Sequence, residues 1–182
     1  MGISGTKQNR LAFYLAFILS FAFFIRVAYV QNEETLPQYP EIDFTEQTFV
    51  DVVRVVDGDT VIVKLKGKDE RVRLIGVDTP ETVHPTQPVE EYGREASRFT
   101  TNLLKGERVY LLSEGDSIER DRYGRILAYL FRYPDGLFVN LEIIRQGYGN
   151  AYTRYPFKYM DLFRAYEQRA RESEKGLWGE EK

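Results

Sequence analysis

Two short acidic clusters and two arginines are the residues of this sequence best suited to chemistry. Asp57-Gly58-Asp59-Thr60 joins one run of β-branched residues to the next, and Asp78-Thr79-Pro80-Glu81 closes a third run. If the second and third runs pair antiparallel, the start of one lies beside the end of the other, and Asp59 meets Asp78 at one rim. Two carboxylates and a backbone carbonyl form an oxygen-only donor set, which suits a hard cation; the spacing is not that of an EF-hand loop. Each cluster has a plainer reading. Asp-Gly is the strongest short hairpin signal, and Asp-Thr-Pro is a common exit from a strand.

Arg73 stands in an otherwise apolar run, on the strand face of Ile75 and Val77, where a charge is costly unless it reaches a partner or a cleft. Arg125 follows the polar turn Asp121-Arg122-Tyr123-Gly124. Guanidinium forks match phosphate oxygens and stabilise charge that develops on phosphorus. Glu81, three residues past Asp78, could orient or deprotonate a water. Taken singly, these are also ordinary surface charges. Cysteine is absent, which excludes disulfides, thiol nucleophiles and thiolate zinc sites. The single histidine, His84, lies in a proline-bearing loop and is assigned no catalysis. Any hydrolysis must therefore come mainly from carboxylates, Arg, Lys, Tyr, Ser or Thr.

The elements that must position these groups follow from periodicity. Val50 to Val56, Thr60 to Leu65 and Arg71 to Val77 read as three strands, with turns at 57–59 and 67–69. Residues 78–90 form a loop with Pro80, Pro85 and Pro88. Glu91 to Leu104 is helical, with Ala96, Phe99, Thr100 and Leu103 on one face, and Gly106 stops it. Arg108–Leu112 and Arg125–Arg132 are two more strands, and Val139–Gln146 and Tyr159–Glu174 two more helices. A three-strand meander, a helix and two further strands is the order of a five-stranded OB-fold barrel, here α+β and mainly β with three helices.

The net charge of −3 does not mark a general nucleic-acid binder. Charge is unevenly placed, however. Lys7, Arg10 and Arg26 flank an apolar run from Leu11 to Ile25, and residues 31–48 carry Glu33, Glu34, Glu41, Asp43 and Glu46. The rest is nearly neutral, which leaves room for a local basic cleft. Residues 1–30 read as a signal peptide or membrane anchor, with the uncleaved anchor favoured and an N-terminal hydrophobic helix expected. Basic residues ahead of the run place the remainder outside the cytoplasm. Residues 31–48, acidic and with two prolines, read as a linker.

Val56-Asp57-Gly58-Asp59-Thr60, Arg73-Leu74-Ile75-Gly76-Val77-Asp78-Thr79-Pro80-Glu81 and Asp121-Arg122-Tyr123-Gly124-Arg125 together resemble the staphylococcal nuclease (thermonuclease) family. His84-Pro85, Tyr92-Gly93-Arg94-Glu95-Ala96-Ser97, Val139-Asn140, Arg145-Gln146-Gly147 and Gly176-Leu177-Trp178 extend the likeness over residues 49–179. Each motif alone is weak; in family order and at family spacing they are specific. The resemblance implies a Ca2+-dependent nuclease acting on DNA, RNA or both and leaving a 3′-phosphate and a 5′-hydroxyl. It implies Asp59 and Asp78 as side-chain metal ligands and Thr79 as a carbonyl ligand. Glu81 would act on the attacking water, Arg73 and Arg125 on the scissile phosphate, and Tyr123 and Tyr152 on the nucleotide. A monomeric catalytic domain is expected, secreted or held at the membrane through residues 11–30.

The sequence departs from the family pattern in two loops. Thr86-Gln87-Pro88 stands where the best-known member is lysine-rich, and Thr153-Arg154-Tyr155 follows Tyr152, so the second tyrosine of the family's pair is displaced or replaced by Arg154. These changes bear on affinity and substrate preference and remove no catalytic group. Two other functions compete: a non-catalytic binding module, as some family domains are, and an envelope protein in which calcium only stabilises the fold. A binding module would not need Asp59, Arg73, Asp78, Glu81 and Arg125 together.

Overall fold

The computed structural model describes residues 40–45, 47–81 and 92–179. The hydrophobic segment 11–30, most of the acidic linker and the loop with His84 and Thr86–Pro88 lie outside the described residues.

The β-branched runs form strands because alternate side chains can be buried on one face of a pleated sheet. Strands β1 (Phe49–Asp57), β2 (Thr60–Leu65) and β3 (Lys68–Leu74) make the meander. The short strand β4 (Val77–Asp78) follows, then helix α1 (Gly93–Leu104), β5 (Arg108–Leu112), β6 (Glu119–Arg120), β7 (Ile126–Tyr133), α2 (Val139–Arg145), β8 (Asn150–Ala151) and α3 (Met160–Glu172). The hydrogen-bonded order β3-β2-β1-β5-β7 closes through a parallel β3–β7 pairing, so five strands form the expected barrel. The short β6 adds to β7, and β4 pairs with β8 outside the barrel. Register shifts in β1, between Val52 and Arg54 and between Val55 and Asp57, mark irregularities of the kind that bend a strand around a barrel.

Val61, Val63, Val72, Val109, Ile126, Ala128 and Leu130 fill the barrel core, and Leu104, Ile143, Ile144 and Phe163 close it from the helices. Full burial of each such aliphatic or aromatic side chain contributes about 1.5–3 kcal/mol. The helical faces largely follow the expected spacing: α1 buries Ala96 and Thr100, with Phe99 and Leu103 half-buried against the core and Leu104, not expected, fully buried, and α3 buries Leu162, Phe163 and Ala170. Within the stretch that composition reads as linker, Ile42 and Phe44 pack against the core.

The third strand differs from its sequence reading. It ends at Leu74, and Gly76 turns the chain at φ 73° before β4. The phase of the strand is lost there, so Val77 is buried in the core while Arg73 is not on its face. Gly76 is required twice over: its φ favours glycine, and a Cβ would lie 2.6 Å from the Phe157 ring. The turn before β3 also sits earlier than expected, at Lys66 and Gly67, with φ 49° and 79°. Two successive positive φ values are those of a tight two-residue hairpin.

Candidate active site

The β2–β3 register pairs Thr60 with Arg73, and the Leu74 N–H donates to the Asp59 carbonyl at 2.9 Å. Asp59 is therefore held at the end of the hairpin ladder, next to the exit of β3. The turn before it is pinned from a helix: Thr100 Oγ1 on α1 donates to the Gly58 carbonyl at 2.7 Å. Gly58 allows a close approach, because a Cβ there would meet Thr79 Oγ1 at 2.6 Å.

Arg73 is the hub of the site. Its Nη1 lies 2.6 Å from Asp59 Oδ2 and its Nη2 lies 3.0 Å from Asp78 Oδ1. Nη1 also donates to the Val77 carbonyl at 2.7 Å. Asp59 Oδ2 further accepts the Thr79 N–H at 3.3 Å, and Asp59 Oδ1 accepts the Thr60 hydroxyl at 2.9 Å. One guanidinium thus holds the two carboxylates together and balances their charge. The Arg73 side chain is 15% exposed and that of Asp59 11%, so this attraction is little screened, whereas Asp78 is half exposed.

Arg125 joins the same network through Thr60, whose Oγ1 accepts from Arg125 Nη1 at 3.3 Å. The turn carrying Arg125 is organised by Asp121. Its Oδ2 accepts Arg125 Nε at 2.7 Å, and its Oδ1 accepts the backbone N–H groups of Tyr123 and Arg125 at 2.9 and 3.0 Å. Burial pushes the Asp121 carboxyl upward, but these bonds and the Arg125 charge outweigh it and leave the pKa below its ordinary value. Arg120 adds a second brace, donating to Glu70 on β3 at 2.9 Å and to the Gly124 carbonyl at 2.7 Å.

Arg73, Asp78, Arg125, Tyr123 and Tyr152 line one cleft of about 610 Å³. Tyr152 reaches it because β8 pairs with β4, and its N–H donates to the Gly76 carbonyl at 2.9 Å. Of the residues proposed from sequence, Asp59, Arg73, Asp78 and Thr79 form one contact network, and Arg125 is tied to it by one hydroxyl. Glu81 is half-buried, three residues beyond Asp78, at the edge of the described chain. Sequence reasoning did not single out Thr60, Thr100 or Asp121. The signal for Asp121 was present: an Asp with Gly three residues on is the signature of a turn capped by its own side chain. Thr60 and Thr100 carried no local signal, since each acts on a residue brought to it by the fold.

The donor atoms here are oxygen only, as a hard cation such as Ca2+ prefers. Among the described residues no three acidic or histidine side chains gather as a metal cluster, so the side chains offer two carboxylates, and main-chain oxygen and water would complete a shell. Thr79 Oγ1 is buried with no hydrogen-bond partner among the described residues, an unmet polar atom beside Asp59. The chemistry of the site therefore fits such a cation.

Residues 71–180 match the family model described as staphylococcal nuclease homologue. The chain is 42% identical over 134 residues to the thermonuclease of Staphylococcus hyicus, covering 73% of this chain and 76% of that protein. It is 44% identical over 128 residues to the thermonuclease of Staphylococcus intermedius, covering 70% and 74%. It is 40% identical over 128 residues to endonuclease YncB of Bacillus subtilis, covering 69% and 59%.

Proposed function

The chain belongs to the staphylococcal nuclease family, and from that premise we propose that it is a Ca2+-dependent nuclease hydrolysing phosphodiester bonds of DNA, RNA or both to 3′-phosphate products outside the cytoplasm. The observation that carries this reading is the convergence of Arg73 and Arg125, from β3 and from the turn before β7, on one cleft beside the Asp59–Asp78 pair.

Arg73 and Arg125 receive the scissile phosphate. Their guanidinium forks are preorganised by Asp59, Asp78, Asp121 and Thr60, so little reorganisation accompanies the growth of charge on the phosphoryl oxygens. Glu81 orients or deprotonates the attacking water, whose oxygen bonds to phosphorus as the P–O5′ bond breaks; one water proton passes to the Glu81 carboxylate or to solvent, and the departing O5′ takes a proton from solvent to leave as the 5′-hydroxyl. Asp59, Asp78 and the Thr79 carbonyl would hold Ca2+. When bound, that ion supplies Lewis-acid stabilisation of phosphoryl charge. Tyr123 and Tyr152 flank the phosphate site with aromatic surface for the nucleotide.

The extracytoplasmic location rests on residues 1–30 as signal or anchor; no helix of the described residues is long and apolar enough to cross a membrane. Protease treatment of intact cells, followed by fractionation, decides it: a protected, soluble chain would overturn it. The activity is tested by incubating the chain with single-stranded DNA and RNA, with Ca2+ or chelator, beside Arg73→Ala and Glu81→Ala. Calcium-dependent cleavage lost in both variants is expected, and a folded, calcium-loaded chain that cleaves neither polymer would overturn the proposal.

A further inference from the structure

The outer face of the β1–β2–β3 meander carries positive charge that the assigned roles leave unused. On β2 and β3 the inward residues Val61, Val63, Val72 and Leu74 belong to the core, so Ile62, Lys64, Arg71 and Arg73 lie on the opposite, outward face. The strand registers set the outward residues in cross-strand rows. Asp51, Lys64 and Asp69 form the first, Arg54, Ile62 and Arg71 the second, and Thr60 with Arg73 the third, at the cleft. The first row has no free cation, since Lys64 pairs with Asp69. In the third, Arg73 is balanced by Asp59 and Asp78. The middle row holds two exposed arginines, and among the described residues neither forms an ion pair. The acids next to Arg71 in sequence are committed elsewhere, Asp69 to Lys64 and Glu70 to Arg120. Ile62 between the two arginines is only 9% exposed, although it faces away from the core cluster. An arginine stands opposite it on each ladder, and arginine stems cover apolar neighbours while their heads stay in water.

We propose that Arg71 and Arg54 form a phosphate track that carries the backbone of a single-stranded substrate away from the cleft, across the outward face of the meander. The proposal rests on the nuclease reading above. Continuity favours this occupant: Arg71 stands two residues before Arg73 on the same face of β3, about 6–7 Å along the strand, and Arg54 lies two strands over, about 10 Å from Arg71. Charge favours it as well. A guanidinium fork matches phosphate oxygens, and these two engage a phosphate without first giving up a carboxylate, as Arg73 must. The bulge in β1 adds apolar surface beside them. It leaves Val53 without a cross-strand partner and 44% exposed, next to Arg54, where a sugar or base edge finds a dry contact. All of these groups stand on hydrogen-bonded strands of the barrel, so the track binds without first being ordered, which removes one cost of association.

The test uses the full chain with Ca2+ and two substrates: a single-stranded 12-mer, and a nucleoside 5′-(nitrophenyl phosphate) too short to leave the cleft. Arg54→Met/Arg71→Met keeps apolar stems over Ile62 and removes both charges. It should lower the ratio of kcat/KM on the 12-mer to that on the ester by about tenfold, the scale of two exposed charge pairs. It should also flatten the dependence of log kcat/KM for the 12-mer on log salt by about 1.4, two phosphate contacts on a single strand. Arg54→Lys/Arg71→Lys should restore the salt slope. Lys64→Met/Asp69→Asn, which removes a matched pair of charges from the neighbouring row, should leave ratio and slope alone. An unchanged slope in the charge-free double variant, equal loss on both substrates, or the same flattening in the Lys64/Asp69 control would overturn the track. Anisotropy of a labelled 12-mer in chelator separates this from the nuclease reading. A wild-type chain that cleaves nothing yet binds the 12-mer more tightly than the charge-free variant refutes catalysis alone and still supports the track. Equal binding by the two, or none by either, refutes the track.

Discussion

Arg73 bridges Asp59 and Asp78, its two terminal nitrogens 2.6 and 3.0 Å from one oxygen of each carboxylate. A residue expected to bind phosphate thus also holds the two expected metal ligands, and cation and guanidinium draw on the same negative charge. Arg73→Ala should therefore act in opposite directions on two measurements. Turnover should fall by about 10²–10³, the usual loss for one preorganised donor at a transition state. Calcium affinity by calorimetry should rise by about tenfold, since one positive charge a few ångströms away is removed at an effective dielectric between protein and water. Weaker calcium binding in the variant would show that Arg73 holds the carboxylates in place more than it competes for them.

Asp121 should matter to catalysis without touching substrate. Asp121→Asn loses the charged acceptor for Arg125 Nε and should lower kcat on single-stranded DNA by about 10–10²-fold, with KM little changed, because Arg125 is less well aimed. Its stability effect should be about 1.5–3 kcal/mol at neutral pH, as for hydrogen bonds to a charged group. The folded pKa lies below the ordinary 3.8, so this contribution is full above pH 3.8 and is lost as pH falls through the folded value. Urea unfolding of both proteins at pH 7 and in steps below pH 3.8 checks the sign. A gap that widens on acidification would contradict it.

Gly58 should not tolerate a side chain. A Cβ would stand 2.6–2.8 Å from three atoms of the β-branched Thr79 side chain, so either Thr79 or the turn must move. Gly58→Ala should cost about 1–3 kcal/mol as overpacking, and should weaken calcium binding because Asp59 and Thr79 shift together. Calorimetry and a melting curve on the same sample test this; lower stability with native calcium affinity would place the strain elsewhere.

Asn140 should be indispensable to the fold. It is fully buried, its Oδ1 accepts the Leu130 N–H at 2.9 Å, and its Nδ2 donates to the Ile75 and Ala128 carbonyls at 2.9 and 3.3 Å. It ties α2 to β7 and to the chain just before Gly76. Asn140→Ala leaves the Leu130 N–H and the Ile75 carbonyl without the amide, while the Ala128 carbonyl keeps the Ile75 N–H, and should cost about 3 kcal/mol or more. Chemical denaturation measures it, and a loss below about 1 kcal/mol would mean that water replaces the amide.

The limits of β2 and β5 and the apolar faces of α1 and α3 were legible in the sequence. They depend on alternation, helical spacing and turn residues acting over a few positions. Asp59 and Asp78 were expected at one rim, and both reach Arg73, but by another route: the β2–β3 ladder ends at Thr60 and Arg73, and Asp78 returns on β4 beyond the Gly76 turn. The break at Gly76 was not, because Arg71 to Val77 looks like one strand until Phe157, some eighty positions away, takes the space a side chain would need. The hydroxyl bridge of Thr60 and the shared cleft were not legible either. They exist because β3 pairs with β7 and β4 with β8, joining residues about fifty to seventy positions apart. Local pattern decides which face a residue takes; barrel closure decides which residues from distant segments meet.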